Sequence, residues 1–502
     1  MPPMIQSKAV MYTVKDLMHT LNTRERQPGV RTPFTGKRVH FLGIGGSGMS
    51  GLAHMLLNLG ALVSGTDRTP SAVTRKLSEV GATVSYAEGA DALPEGTQMV
   101  VHSAAIAATH PEMIAAKQMG CEILKYAQML GRVMALKHGI AIAGTHGKST
   151  TTAMTAHILL SAGKDPSFVV GATSEQLGGS ARSGNGELFV VEACEYDRSF
   201  HNLRPRIGVA LNIEEDHLDY YKDIEEIVES FGVFLKRVDP AGVVIVSAND
   251  PNCAAAVRNV EAQVETYGID IPADWQATGI RRFQGKAHFQ VTYKGTKMGR
   301  LVLSIAGRHN VGNATVAAAI ATHSGVPWEQ IQTAVESFRG ADRRSQFLGQ
   351  FVLPEFPGSA AVTLVDDYGH HPTEIRATLL ALREHYRPRR LICVFQPHQH
   401  SRTRFLLDDF ARSFSHADLT IVPDIYFVRD SEADRTSVNS GILVQRLQEA
   451  GREAMYMPTF KEITEHLQEQ MQPGDLVVSM GAGPVWEVTD ELVRRLRGPG
   501  PA

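Results

Sequence analysis

Residues 140–154 read IAIAGTHGKSTTTAM, an apolar run that enters a tight glycine turn, passes a lysine and opens into hydroxyl residues. Such a strand–loop–helix unit aims backbone N–H groups and a helix N-terminus at one point. That suits an anion, and a lysine adds a compact positive charge. Gly144, Gly147, Lys148 and Ser149 fill these roles, with Thr145 and His146 inside the turn and Thr150 to Thr152 in the first helical turn. The hydroxyl after the lysine is placed to reach magnesium on nucleotide phosphates, so ATP is the expected guest. The strict spacing GxxxxGK[ST] fails, because Ile142 stands five positions before Gly147, and GTHGKS is therefore a shortened form.

Two strand ends downstream could complete such a site. Glu192 closes the apolar run LFVVE, where a parallel sheet offers side chains to a crevice. A carboxylate there can supply oxygen to magnesium. The next apolar run leads into NIEEDHLDYY, which holds Asn212, Asp216 and His217. His217 is open to two readings at this point, a ligand or a hydrogen-bonded loop residue.

A second glycine turn precedes the first. Residues 43–48, GIGGSG, follow the strand VHFL, and Asp67 closes the next strand. Gly43, Gly45, Gly46 and Gly48 with that acid nearly complete a dinucleotide fingerprint, so an NAD-dependent oxidoreductase is one reading. The same backbone geometry accepts any pyrophosphate, so a nucleotide-sugar diphosphate is another. Ser103, in MVVHSAAI, lies at the end of a further strand of that block. In the last third, His370, His371, His398 and His400 raise the idea of zinc, but no Cys or Glu stands at a familiar spacing from them. The expected reading is solvated loop histidines. Arg343 and Arg344 in GADRRSQF are open between a solvated pair and a phosphate contact.

These residues need strands to present them. Short apolar runs alternate with helical stretches in three blocks, as in α/β folds with parallel sheets. A chain of 502 residues also exceeds one core, at a prior of about 150 residues per domain. The expected organisation is an extension over 1–36, a Rossmann-like domain over 37–125, a central P-loop ATPase domain over 126–341 and a Rossmann-like domain over 342–502. Residues 270–300 alternate with turn signals and are expected to form an antiparallel insertion. VKDLMHTLN is expected to be a helix. The net charge of −3 gives no general attraction to nucleic acid or to an anionic membrane. Four scattered cysteines form no CxxC pair, and no apolar run reaches the ~20 residues of a membrane span. The first 36 residues lack the apolar core of a signal peptide, so a cytoplasmic protein is expected.

Taken in order, HFLGIGGSGMSGLA, AGTHGKSTTTAM, EYDRSF, NIEEDHLDYY, GRHNVGNA, DDYGHHPTE and FQPHQHSRTR resemble the signatures of the Mur ligases, from about residue 37 to the C-terminus. The resemblance is strongest to members that use ATP and magnesium to join the lactyl carboxylate of UDP-N-acetylmuramate to L-alanine through an acyl phosphate. It implies that Gly43, Gly45, Gly46, Gly48, Asp67 and Ser103 serve the UDP-sugar. It implies that Lys148, with Gly144 to Thr150, Arg344 and Asp367, serves ATP, and that Asn310 and Asn313 lie by its base. Ser149 and Glu192 would hold one magnesium and His217 would belong to a second metal site. Tyr368, His370 and Arg402 would face the substrates from the third domain. The amine's proton acceptor is left open between His217 and His370. Two positions depart from the family pattern, Gln399 where Arg is usual and Cys194 where Asp is common. A ligase that takes a preformed tripeptide stays open as an alternative, as does a monomer or a homodimer.

Overall fold

The computed structural model describes residues 31–497 apart from 88, 90, 91 and 429. The helix expected in VKDLMHTLN lies outside the described residues. Strand β1 (Arg38–Leu42) buries four of its five residues and delivers the chain to the first glycine turn. With β2 (Leu62–Thr66), β3 (Thr83–Ser85), β4 (Met99–His102) and β5 (Glu122–Lys125) it forms a parallel sheet of order β3-β2-β1-β4-β5. Strand order reverses between β1 and β4, which opens a crevice beyond their C-terminal ends. Gly43 and Ser103 follow those two strands.

The second sheet begins with β6 (His138–Ala143), whose residues after His138 are all buried, and continues through β7 (Ser167–Val169). Contacts divide the chain into two units, and between those strands and the next the chain returns to the first one. That unit runs to Met129 and includes Thr173–Ser183. Its returning segment holds β8 (Ala181–Arg182), which packs on helix Ser47–Asn58. A Cβ on Gly51 would strike the Cβ of Ala181, so only glycine admits the segment.

The chain then forms β9 (Leu188–Glu192), β10 (Ile207–Ala210), β11 (Val243–Ser247) and β12 (Gln263–Ile269), all parallel to β6. β13 (Trp275–Phe283), β14 (Lys286–Tyr293) and β15 (Thr296–Leu303) extend the sheet with antiparallel pairings, as the alternation over 270–300 predicts. The order runs β15-β14-β13-β12-β11-β10-β6-β9-β7. Strand β6 therefore sits between β10 and β9, and the cradle emerges between the ends carrying Asn212 and Glu192.

The third sheet has the order β16-β17-β21-β18-β19-β20. Its strands are β16 (Gln346–Phe351), β17 (Val362–Asp367), β18 (Leu391–Phe395), β19 (Leu419–Val422), β20 (Ala454–Tyr456) and β21 (Leu476–Met480). Only β16 runs antiparallel. Both faces are covered: Val365, Cys393 and Val478 pack into one core, while Leu364, Ile392 and Val477 pack into the other. Each such side chain contributes roughly 1.5–3 kcal/mol on full burial. This sheet and the second one belong to a single contact unit, Leu130–Ala172 with the chain from Gly184 onward. Side chains also cross between the two sheets, as with Arg344 and Ser149. No helix among the described residues is long and apolar enough to cross a membrane.

Candidate active site

The cradle is braced before any ligand arrives. Gly144 has φ 143° and a Cβ there would meet Leu211, while Gly147 has φ 83° and a Cβ would meet Asn313 Oδ1. Both positions lie where L side chains are strained. Asn212, beyond β10, grips the loop from both sides: its Oδ1 accepts from His146 N at 2.7 Å and its Nδ2 donates to His146 O at 3.1 Å. The helix Lys148–Ser161 then packs on Arg308–His323, a helix whose run of buried alanines permits the approach.

Lys148 points back over the turn. Its Nζ donates to Gly144 O at 2.5 Å, to Thr145 O at 3.1 Å and to Glu195 Oε1 at 2.9 Å. Burial disfavours the ammonium, yet Glu195 outweighs that and holds its proton more tightly than usual. Glu195 itself is lowered despite burial, by Lys148 and then His217. His217 sits with Nε2 at 3.6 Å from Glu195 Oε1 and at 3.8 Å from Asp216 Oδ2. Sequence reading passed over Glu195. The available signal was the second acid of EACE, three residues past a strand end. Its Oε2 is buried without a hydrogen-bond partner.

Ser149 and Glu192 meet as expected, with Ser149 Oγ donating to Glu192 Oε1 at 3.2 Å. The other carboxylate oxygen accepts from Gly171 N at 2.7 Å, which fixes its direction. Hydroxyl and carboxylate oxygens so placed are the donor types magnesium prefers. His217 shares no contact with this pair and faces Glu195 instead.

Beside the cradle lies a cavity of about 360 Å³, lined among others by Gly147, Thr150, Asn310, Asn313, Tyr267 and Asp367. Asn313 Nδ2 donates to Asn310 Oδ1 at 2.9 Å, so the two amides form one edge. Burial pushes the carboxyl of Asp367 up to about 6, although it accepts from Ser345 N and Gly369 N. The two neighbouring arginines separate in role. Arg344 Nη2 donates to Ser149 Oγ at 3.2 Å, whereas Arg343 is taken up by Asp366 and by the carbonyls of Gly481 and Gly483.

From the third sheet, Tyr368 lies under Arg344, whose Cζ is 4.8 Å from the ring centre. His370 donates from Nδ1 to Tyr368 O at 3.2 Å, and burial pushes its imidazole down to about 3. Arg402 clasps Asp216 Oδ1 through Nε and Nη2 at 3.2 and 2.8 Å, both side chains being buried. Its guanidinium is thus paired with protein. Gln399, at φ 70°, caps the same short helix with its Nε2 buried and unpartnered.

Two of the four loop histidines are not solvated, which corrects the sequence expectation for them, while His370 and His398 are partly exposed. His371 and His400 are buried, and His400 is held by Asp430. The rings of His370 and His398 stand 6.2 Å apart, and among the described residues no three of the four histidines gather as possible metal donors. His371 turns instead toward His146 of the cradle, ring centres 4.7 Å apart. Burial opposes a charge on His146, but Glu374 and Glu214 override it and raise the imidazole to about 9. In the first unit, Asp67 Oδ2 accepts from Gly45 N at 2.7 Å, so this acid folds the glycine loop.

With this geometry in place, comparison with known proteins is specific. The Mur ligase family catalytic domain matches residues 38–138, the Mur ligase middle domain 142–321 and the Mur ligase glutamate ligase domain 355–483. The UDP-N-acetylmuramate–L-alanine ligase of Caldanaerobacter subterraneus subsp. tengcongensis is 41% identical over 459 residues, which covers 91% of this chain and 97% of that one. The chain belongs to the Mur ligase family. Among solved structures, the UDP-N-acetylmuramate-alanine ligase of Thermotoga maritima superposes on this Mur ligase with a TM-score of 0.74 at 25% identity, covering 92% of this chain and 99% of that one. A murein peptide ligase from Psychrobacter arcticus gives 0.64 at 26% identity, covering 93% and 100%.

Proposed function

We propose that this Mur ligase joins L-alanine to the lactyl carboxylate of UDP-N-acetylmuramate at the expense of ATP, in the cytoplasm, for peptidoglycan precursor synthesis. The observation that carries the reading is the meeting of the braced cradle with the third sheet: Arg344 lies over Tyr368 and reaches Ser149, which pairs with Glu192, and Gly147, Thr150, Arg344 and Asp367 line one cavity. In this reading residues 37–125 bind the UDP-sugar, 126–341 the ATP, and 342–502 complete the site.

A carboxylate is a poor acyl donor because oxide is a poor leaving group. Attack of a lactyl oxygen on the γ-phosphorus of ATP cures this, giving an acyl phosphate and ADP. Lys148 and Arg344 neutralise and position the transferring group. Magnesium, held by Ser149 and Glu192, would supply charge neutralisation at the phosphates. The alanine amine then attacks the acyl carbon, and phosphate departs as the amide forms. His370 donates from Nδ1 to Tyr368 O, which leaves its Nε2 lone pair as one candidate acceptor for the amine's proton, although burial makes that imidazole a weak base. His217, against Glu195, is the second candidate for the amine's proton.

ADP release from the full chain with UDP-N-acetylmuramate tests the reading. ADP formed with L-alanine and not with tripeptide supports it. ADP formed with tripeptide alone favours the alternative, which rests on the likeness to the murein peptide ligase.

A further inference from the structure

His146 comes from the cradle, Glu214 from the segment after β10, and His371 from the start of helix Pro372–Tyr386. Among the described residues these form the one group of three possible metal donors, with all donor atoms within 4.8 Å of one another. His146 Nε2 is 3.5 Å and His371 Nδ1 4.0 Å from Glu214 Oε2. Tetrahedral zinc with nitrogen and oxygen ligands holds its donors about 3.4 Å apart, so small side-chain rotations close the set.

As free protein the group is an ion pair between His146 and the two carboxylates; a metal takes the place of the proton on His146 Nε2, and the hydrogen bonding beyond the three donors then orients both imidazoles. His371 Nε2 faces Glu215 O at 3.0 Å, and a carbonyl only accepts, so the lone pair is on Nδ1. That lone pair receives Thr373 N at a long 3.3 Å, and this amide belongs to the first helical turn, where water readily replaces such a partner. His146 Nδ1 faces Glu374 Oε1 at 3.3 Å, while its Nε2 is buried with no hydrogen-bond partner. A carboxylate behind one imidazole and a carbonyl behind the other is the outer arrangement that orients histidines on zinc. Thr373 Oγ1 donates to Glu214 Oε2 at 2.7 Å and fixes the third donor. A second cavity of about 420 Å³, lined by Glu214, Glu215, His371 and Arg376, offers an entry path and room for water in a fourth position.

The geometry points to a zinc site made of His146, Glu214 and His371, distinct from the oxygen site at Ser149 and Glu192. Two imidazoles and one carboxylate suit Zn²⁺ and not Mg²⁺, which takes oxygen donors. Occupancy ties the cradle to the third sheet's first long helix, and the inference holds whichever amine the enzyme uses.

The test is zinc titration of the full chain, stripped with a chelator, in excess magnesium without nucleotide. The expected result is one Zn²⁺ per chain and a raised thermal midpoint. His371→Ala and Glu214→Gln each weaken binding about tenfold or more, as loss of even outer partners costs 10–100-fold, whereas Glu192→Gln leaves it unchanged. X-ray absorption of the zinc-loaded wild type, which needs no variant, reads two imidazoles in the shell. Sulfur in that shell, binding that survives both variants, dependence on Glu192, or no stoichiometric zinc at all would each overturn the site.

Discussion

Arg344 donates from Nη2 to Ser149 Oγ across 3.2 Å, although 195 positions separate the two in the chain. The residue that enters the third sheet thereby touches the hydroxyl at the base of the ATP cradle. Arg343, its neighbour, also lies over the Tyr368 ring, Cζ 5.1 Å from its centre, but its donors go to Asp366 and two carbonyls.

Arg344→Ala is accordingly expected to lower kcat/KM for ATP by roughly ten- to a hundredfold, the worth of a lost charge-assisted contact, with the melting temperature little changed. Arg343→Ala is expected to do the reverse and destabilise by about 1–3 kcal/mol, because it takes a donor from two carbonyls and from Asp366, which keeps only its bond from Ser479. Steady-state kinetics and urea titration on both variants read the contrast; matching effects would refute it.

Lys148→Ala is expected to reduce turnover about 100- to 1,000-fold, as removal of a preorganised charge-stabilising group does. Calorimetric binding of UDP-N-acetylmuramate should stay close to wild type, since the first glycine loop lies in another unit. Parallel loss of both would contradict the assignment of the two glycine loops.

Asp216→Ala strips the buried Arg402 guanidinium of its carboxylate. Breaking such a pair costs about 3–5 kcal/mol, and Arg402→Leu in the same background should recover part of the loss. Chemical denaturation of the two variants checks it, and a surface-like effect below about 1 kcal/mol would count against the pair's role.

Glu265 is fully buried and receives Tyr293 OH, Trp275 Nε1 and His323 Nε2 at 2.6, 2.7 and 2.9 Å. Burial raises its carboxyl, but His323, Tyr293 and Trp275 outweigh burial and bring it down to about 2. A depressed acid stabilises the fold above its unfolded value near 4.5, and the contribution is lost as pH falls through about 2. Stability should therefore decline between those values, by up to about 3 kcal/mol from this group. Glu265→Gln should be less stable at neutral pH and flatter across that acid window. A wild-type slope retained in the variant would assign the acid sensitivity elsewhere.

The strands that carry chemistry were legible because they are buried on both faces and read as continuous apolar runs, as in IAIA and LFVV. Those missed were β3, β5, β7, β8, β12, β16 and β20, mostly two to four residues long or half exposed, with too little periodicity to register. Cradle residues were legible because a phosphate loop forces glycine at fixed places. Glu195, Glu214 and Glu374 were not, because each is an ordinary acid whose partner lies far away in sequence. His371 misled for the same reason: neighbouring histidines in DDYGHH invite grouping, yet its companions are His146 and Glu214.

Gly51 and Ala181 stand in van der Waals proximity that no larger residue at 51 would allow. A gene fragment stopping at codon 129 would leave that helix face bare, missing a patch supplied from about fifty codons later. Shuffling this module between related enzymes must therefore transplant two separate stretches of coding sequence, or replace both Gly51 and the surface it covers.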